Sequence, residues 1–169
     1  MRLYIVRHAI AAPHGTPGVK DDDRVLTEEG EKKMRQAAAG LRSLGYIPGI
    51  ILSSPLPRAS QTAEILQKAF GGGIELKIVP SLAPSGSRQD LYRVISQYER
   101  KLESLMIVGH QPSLGEIAGE IAWGSAGQYI ELKKGGVCVL ELEIVRGTPK
   151  GTLVSLLPPS ILRQLNVTR

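Results

Sequence analysis

Short unbroken apolar runs, Leu3–Val6, Ile50–Leu52 and Leu105–Val108, alternate with longer stretches in which apolar residues recur every three or four positions. A run of three or four apolar residues with β-branched members predicts a strand buried on both faces. The three-and-four spacing predicts helices laid on the sheet. Thr27 caps the first helix, with Glu28 and Glu29 at its positive end. Its apolar face is Met34, Ala37, Ala38, Leu41 and Leu44, and Gly45 ends it. The second starts with Pro57 in its first turn, continues through Ala59, Ala63, Leu66 and Phe70, and stops at Gly71-Gly72-Gly73. Ile74–Val79 alternates in part and reads as a further strand. Ser87 opens a third helix with Leu91, Val94, Ile95, Tyr98 and Leu102 on its core face. Ser113-Leu114-Gly115-Glu116 has capping-box spacing and opens a fourth with Leu114, Ile117, Ala118 and Ile121. Toward the end the pattern changes. Val137–Val145 and Thr152–Leu157 read as a hairpin on one side of the sheet, joined through Arg146–Gly151. Pro158-Pro159 breaks it, and Ile161–Val167 forms a last short turn. The expectation is an α/β protein with one domain over 1–169. It has three layers, α/β/α, and a mostly parallel sheet carrying antiparallel hairpin strands.

Composition narrows the classes. At 169 residues the chain buries a real core, and no apolar stretch approaches the roughly 20 residues of a membrane span. The N-terminal apolar run is too short for a signal peptide and leads straight into Arg7-His8. The single cysteine, Cys138, lies in an apolar run, which predicts a buried inert thiol and a reducing, cytoplasmic setting. The net charge of +5 favours anionic partners. Scattered basic residues and 4% aromatic content argue against a nucleic-acid platform.

Candidate chemistry sits where the buried strands stop. The three runs end in Arg7-His8, in Ser53 to Arg58, and in Gly109-His110. Ligands of open α/β sheets bind at the carboxyl ends of the strands. If the three are parallel neighbours, two histidines and two arginines converge on one crevice. Guanidinium groups bind phosphate oxygens in a planar fork. A neutral histidine can attack phosphorus, and a second, protonated one can stabilise charge on the equatorial oxygens. A metal site is the competing use of histidines. The two arginines would repel a cation, and neither HxH nor HExxH spacing occurs, so no metal or other cofactor is expected. The stretch Ala9–Arg24, rich in Gly, Pro and Asp, reads as a surface loop. In it His14 reads as a plain exposed histidine and Asp21-Asp22-Asp23 as a solvated patch, or else as a proton source near the phosphate.

Four stretches, in order, resemble the histidine phosphatase superfamily, also called phosphoglycerate mutase-like. Arg7-His8-Ala9 is similar to its RHG signature, and Asp23-Arg24-Val25-Leu26-Thr27-Glu28-Glu29-Gly30 to its DRxLTxxG stretch. Ser53 to Ala63 (SSPLPRASQTA) is similar to its SSPxxRAxQTA motif, and Val108-Gly109-His110 to its second histidine motif. The resemblance implies that fold, with His8 as the phosphorylated nucleophile. It implies that Arg7, Arg58 and His110 form the phosphate pocket, with Gln111 beside them as a further phosphate-binding residue. The short chain has no room for a subdomain over the site, which makes it most similar to compact SixA-type phosphohistidine phosphatases. The implied partner is a phosphorylated signalling protein, such as a histidine-containing phosphotransfer domain. The alternatives are a phosphatase of small phosphate esters, or a phosphate-binding module without turnover. Two departures bear on this. Ala9 stands where the signature has glycine. Leu82–Ser87, where ester-cleaving relatives carry an acid, has no carboxylate. The nitrogen of phosphohistidine leaves more easily than an ester oxygen, so the missing acid suits the phosphoramidate.

Overall fold

The computed structural model describes residues 1–124 and 127–165. Six strands form one sheet: β1 (Arg2–Arg7), β2 (Ile50–Ser53), β3 (Glu75–Ile78), β4 (Ser104–Gly109), β5 (Val137–Val145) and β6 (Thr148–Leu157). The α-helices among the described residues are α1 (Glu28–Ser43), α2 (Pro57–Ala69), α3 (Arg88–Ser96), α4 (Ser113–Trp123) and α5 (Pro159–Gln164). The spatial order is β3-β2-β4-β1-β5-β6. The first four strands of the chain are mutually parallel, and the β5–β6 hairpin adds antiparallel to the β1 side.

The unbroken apolar runs have a simple cause: both faces of the central strands are covered. Leu3, Ile5, Leu105 and Ile107 pack with α3 and α4 residues such as Leu91, Ile95, Leu114 and Ile117. Tyr4, Val6, Met106 and Val108 face the other way, against Met34, Ala37 and Leu41 of α1, Ala63 and Leu66 of α2, and Leu162 of α5. These are the three layers expected. Small residues let α1 and α5 lie close, and at Gly40 an added Cβ would come 2.0 Å from the Leu162 carbonyl oxygen.

Several local expectations are corrected. Leu44 is not on the core face of α1; it terminates the helix and is exposed. Helix α3 stops at Ser96, so Tyr98 and Leu102 pack from the turns that follow. The connection between β5 and β6 is the two-residue Arg146-Gly147 turn rather than Arg146–Gly151. Both its residues have positive φ, 51° and 81°, as a tight hairpin turn needs. Pro149 and Gly151, which suggested a loop, belong to β6. An edge strand tolerates a missing N–H, and Gly151 lets β6 pass the Glu141 carbonyl oxygen, 2.4 Å from where a Cβ would be. The start of the Ala9–Arg24 loop is not on the surface: Ala9 and Ala11 are buried, and Ala11 bridges Leu26. The last helix begins at Pro159, and the end of the expected turn, 166–167, lies outside the described residues.

Register sets up the site. Arg7 pairs with Gly109, and Ser53 with Val108, so β1, β4 and β2 end side by side at one level. The residues that follow all spill into the same crevice.

Candidate active site

His8 is the first residue past β1. Its N–H donates to the Gly109 carbonyl at 3.0 Å, and the Gly135 N–H reaches the carbonyls of both Arg7 and His8 at 3.1 Å. The backbone on either side of the imidazole is thereby held, and the residue is only 5% exposed. Its Nδ1 lies 2.7 Å from the Ala9 carbonyl oxygen. A carbonyl only accepts, so Nδ1 carries the proton and the Nε2 lone pair is the free one. Burial, with the charges of Arg58, Arg7 and Arg24, pushes the His8 imidazole down to about 4. At neutral pH it is an uncharged base with Nε2 available.

His110 follows β4, its ring centroid 5.2 Å from that of His8. Its Nε2 lies 2.8 Å from Ser54 Oγ, which also accepts the Leu56 N–H at 3.3 Å. Burial, then His8 and the arginines, pushes His110 down to about 3. The second histidine, expected from the sequence to be protonated, is therefore neutral here, because burial disfavours its charged form and the neighbouring guanidinium groups repel it.

Arg7 donates through one terminal nitrogen to the Leu132 carbonyl at 2.8 Å, and Arg58 donates to the Asp21 carbonyl at 2.9 Å. Burial lowers both guanidinium groups from their ordinary value, and arginine stays charged regardless. Arg7 Nε, Arg58 Nε and His110 Nδ1 are buried and have no hydrogen-bond partner among the described residues. An unmet buried donor costs about 1–3 kcal/mol. Two such donors on fixed cations, with an imidazole nitrogen beside them that can take up a proton, suit an anion with several acceptor oxygens.

The supports explain much of the spacing in the motifs. Thr62 Oγ1 accepts the Ala9 N–H at 3.0 Å and donates to the Arg58 carbonyl at 2.6 Å, tying the His8 turn to α2. Gln61 Oε1 accepts the Leu26 N–H at 2.8 Å. Thr27 Oγ1 caps α1 through the Gly30 N–H at 3.0 Å. Sequence reasoning missed Ser54 and Thr62, although both lie inside the SSPLPRASQTA stretch, and it left the place of Asp21 open. The Gln111 side-chain amide has partners of its own: Oε1 accepts the Gly115 N–H at 2.7 Å and Nε2 donates to the Ile130 carbonyl at 3.3 Å. It thus replaces Ser113 as the cap of α4, whose N-cap position is Pro112. Ala9 is no obstacle: its methyl joins the buried cluster with Val6 and Ala37, and Arg146 is the non-glycine residue with positive φ among those described.

Relatives can now be set beside this geometry. A family model described as the histidine phosphatase superfamily (branch 1) matches residues 3–84. A protein from Picosynechococcus is 42% identical over 138 residues, 81% of this chain and 82% of that one. The phosphohistidine phosphatase SixA of Escherichia coli is 27% identical over 129 residues, 73% of this chain and 76% of its own. A solved structure of the protein histidine phosphatase SixA complexed with tungstate superposes with a TM-score of 0.84. It is 23% identical and covers 96% of this chain and 99% of that one. The chain belongs to the histidine phosphatase superfamily.

Within this superfamily fold the two low histidine pKa values have a consequence for stability. The unfolded chain takes up protons at these positions below pH 6.5, whereas the folded chain takes them up only near 4 and 3. Stability is therefore full above about pH 6.5 and declines as the pH falls toward 4 and 3. Thermal melts across that window are expected to slope for the wild type and to flatten for a His8→Asn/His110→Asn double variant. Equal slopes would mean that the histidines titrate normally in the folded protein.

Proposed function

We propose that this chain is a phosphohistidine phosphatase that works through a phosphorylated His8. The observation that carries this is the free Nε2 of a buried, neutral His8 beside two unpartnered donors, Arg7 Nε and Arg58 Nε, and the unpartnered His110 Nδ1. A phosphoryl group bound by those donors brings negative charge next to His110. That charge offsets the arginines and favours a proton on Nδ1, which then donates to a phosphoryl oxygen. His8 Nε2 attacks phosphorus; the new N–P bond forms as the bond to the leaving nitrogen breaks. Water then attacks phospho-His8: the N–P bond breaks, its electron pair returns to Nε2 to leave neutral His8, and the water gives up a proton as inorganic phosphate forms. Positive charge comes from fixed guanidinium groups, which stabilise the equatorial oxygens without reorganising.

The phosphohistidine substrate is supported by two facts. The segment Leu82–Ser87, whose Leu82 carbonyl lies beside Gly109, offers no carboxylate to protonate an ester oxygen. The E. coli relative is a phosphohistidine phosphatase. The roles of Arg7, Arg58 and His110 as phosphate ligands, and a phosphotransfer domain as the partner, belong to the same proposal.

The test is phosphate release, in the presence of a chelator, from a histidine-phosphorylated carrier domain and from 4-nitrophenyl phosphate. We expect the carrier to be turned over at least tenfold more efficiently in kcat/KM. Preference for the aryl ester would move the assignment to small phosphate esters. Release from neither, with tungstate still raising the melting temperature, would identify a phosphate-binding module.

A further inference from the structure

The loop between His8 and α1 carries a third imidazole, linked to the site through Asp21. His14 Nδ1 lies 2.5 Å from Asp21 Oδ1. Asp21 in turn sits on the phosphate-site arginine: its carbonyl accepts from Arg58 at 2.9 Å and its Oδ2 lies 3.8 Å from the same guanidinium. The loop is pinned there. Arg24 donates to Asp21 Oδ1 at 2.8 Å and to the Ala12 carbonyl at 2.9 Å, Ala12 N–H donates to Val25, and Thr16 closes a turn on Pro13. A carboxylate that accepts from Nδ1 fixes the ring and leaves Nε2 outward, the arrangement a proton shuttle needs. The ring is 83% exposed, so it is not there to fill a core.

Other groups near the arginines do not serve. Hydrogen bonds from His14 and Arg24 hold the Asp21 carboxyl down at about 2, so at neutral pH it has no proton to give. Glu131, on the Arg7 side, is paired with Lys133 at 2.8 Å and its carboxyl is likewise lowered. Asp22 contributes charge to the Arg58 side, and among the described residues no hydrogen bond orients its side chain. Leu82–Ser87 supplies no carboxylate.

We propose that His14, oriented by Asp21, is the proton donor to the leaving group and, in the second half-reaction, the acceptor of the water proton. This rests on the phospho-His8 mechanism. As His8 Nε2 bonds to phosphorus, the bond from phosphorus to the leaving oxygen breaks and that oxygen takes the proton from His14 Nε2. Neutral His14 then removes a proton from the water that attacks phospho-His8, and both imidazoles are restored. The consequence is a wider substrate range: with His14 the site cleaves phosphate esters whose leaving groups are too basic to depart unprotonated.

The test compares phenyl phosphate, with a poor leaving group, and 4-nitrophenyl phosphate, with a good one, in wild type and His14→Gln. We expect kcat/KM for phenyl phosphate to fall about 100-fold while that for 4-nitrophenyl phosphate changes less than about threefold. Asp21→Asn, which keeps a polar side chain but removes the charge, should show the same asymmetry more weakly. An equal fall for both esters would make His14 a prop for the loop and overturn the proposal. So would no fall for either, or a wild type that leaves phenyl phosphate uncleaved. Trapping of phospho-His8 from 4-nitrophenyl phosphate in the variant separates this failure from failure of the mechanism itself: the label persists in the first case and is absent in the second.

Discussion

Replacing His8 with alanine is expected to lower kcat by on the order of 10^4-fold or more and to abolish the acid-labile phosphoenzyme. The size follows from the geometry. His8 is the imidazole whose Nε2 is free, because Nδ1 is committed to the Ala9 carbonyl at 2.7 Å. His110 cannot take over: its Nε2 is engaged with Ser54 Oγ at 2.8 Å, and its orientation is set by β4 and not by β1. The anion site should survive the substitution, since Arg7 and Arg58 hang on the carbonyls of Leu132 and Asp21 and not on His8. Tungstate should therefore still raise the melting temperature of the variant. Rapid acid quench with labelled substrate is the direct measurement. Wild-type-like turnover by His8→Ala would sink the covalent mechanism, whereas loss of turnover together with loss of tungstate binding would point to collapse of the turn.

Gly30→Ala is expected to cost about 3 kcal/mol of stability, a drop of roughly 6–12 °C in melting temperature. A Cβ at this position would lie 2.0 Å from the Ile10 carbonyl oxygen and 2.9 Å from its carbon. Those are backbone atoms, so no side-chain rotation relieves the clash. The Ile10 carbonyl also accepts the Thr27 N–H at 3.0 Å, so pushing it away disturbs the cap of α1 as well. Ile10 lies two residues past His8, and kcat should fall along with stability. Gly73→Ala is the contrast, because a Cβ there has nothing within 4 Å and the backbone is not left-handed. Urea denaturation of the two variants measures the difference. A Gly30→Ala protein as stable as Gly73→Ala would show that the His8 turn and α1 are not packed backbone to backbone.

Much of this was visible in the chain. Continuous runs such as Leu105–Val108 marked strands covered on both faces, because a two-sided core leaves no polar positions to alternate with. Thr27, Ser87 and Pro57 marked helix starts correctly, since capping and the missing proline N–H are settled within one turn of chain. The same local logic failed at Ser113. A side chain from outside the box, Gln111, made the capping bond, with its other end tied to Ile130 across the fold.

The sequence by itself determined the strand–helix alternation, the placement of His8, Arg58 and His110 at element ends, and the one-to-one order of the motifs. It did so because periodicity, capping and turn chemistry depend on near neighbours. Tertiary structure alone decided that β4 lies between β2 and β1, which is what brings those three ends together. It also decided which nitrogen of each imidazole is free, that Ser54 holds His110, that Leu132 holds Arg7, and that Asp21 reaches Arg58 with His14 paired to it. Arg7 and Leu132 are 125 positions apart, and Ser54 and His110 are 56 apart. Contacts at such separations exist only once loops have closed and the sheet has chosen its order, and no local pattern of side chains records that choice.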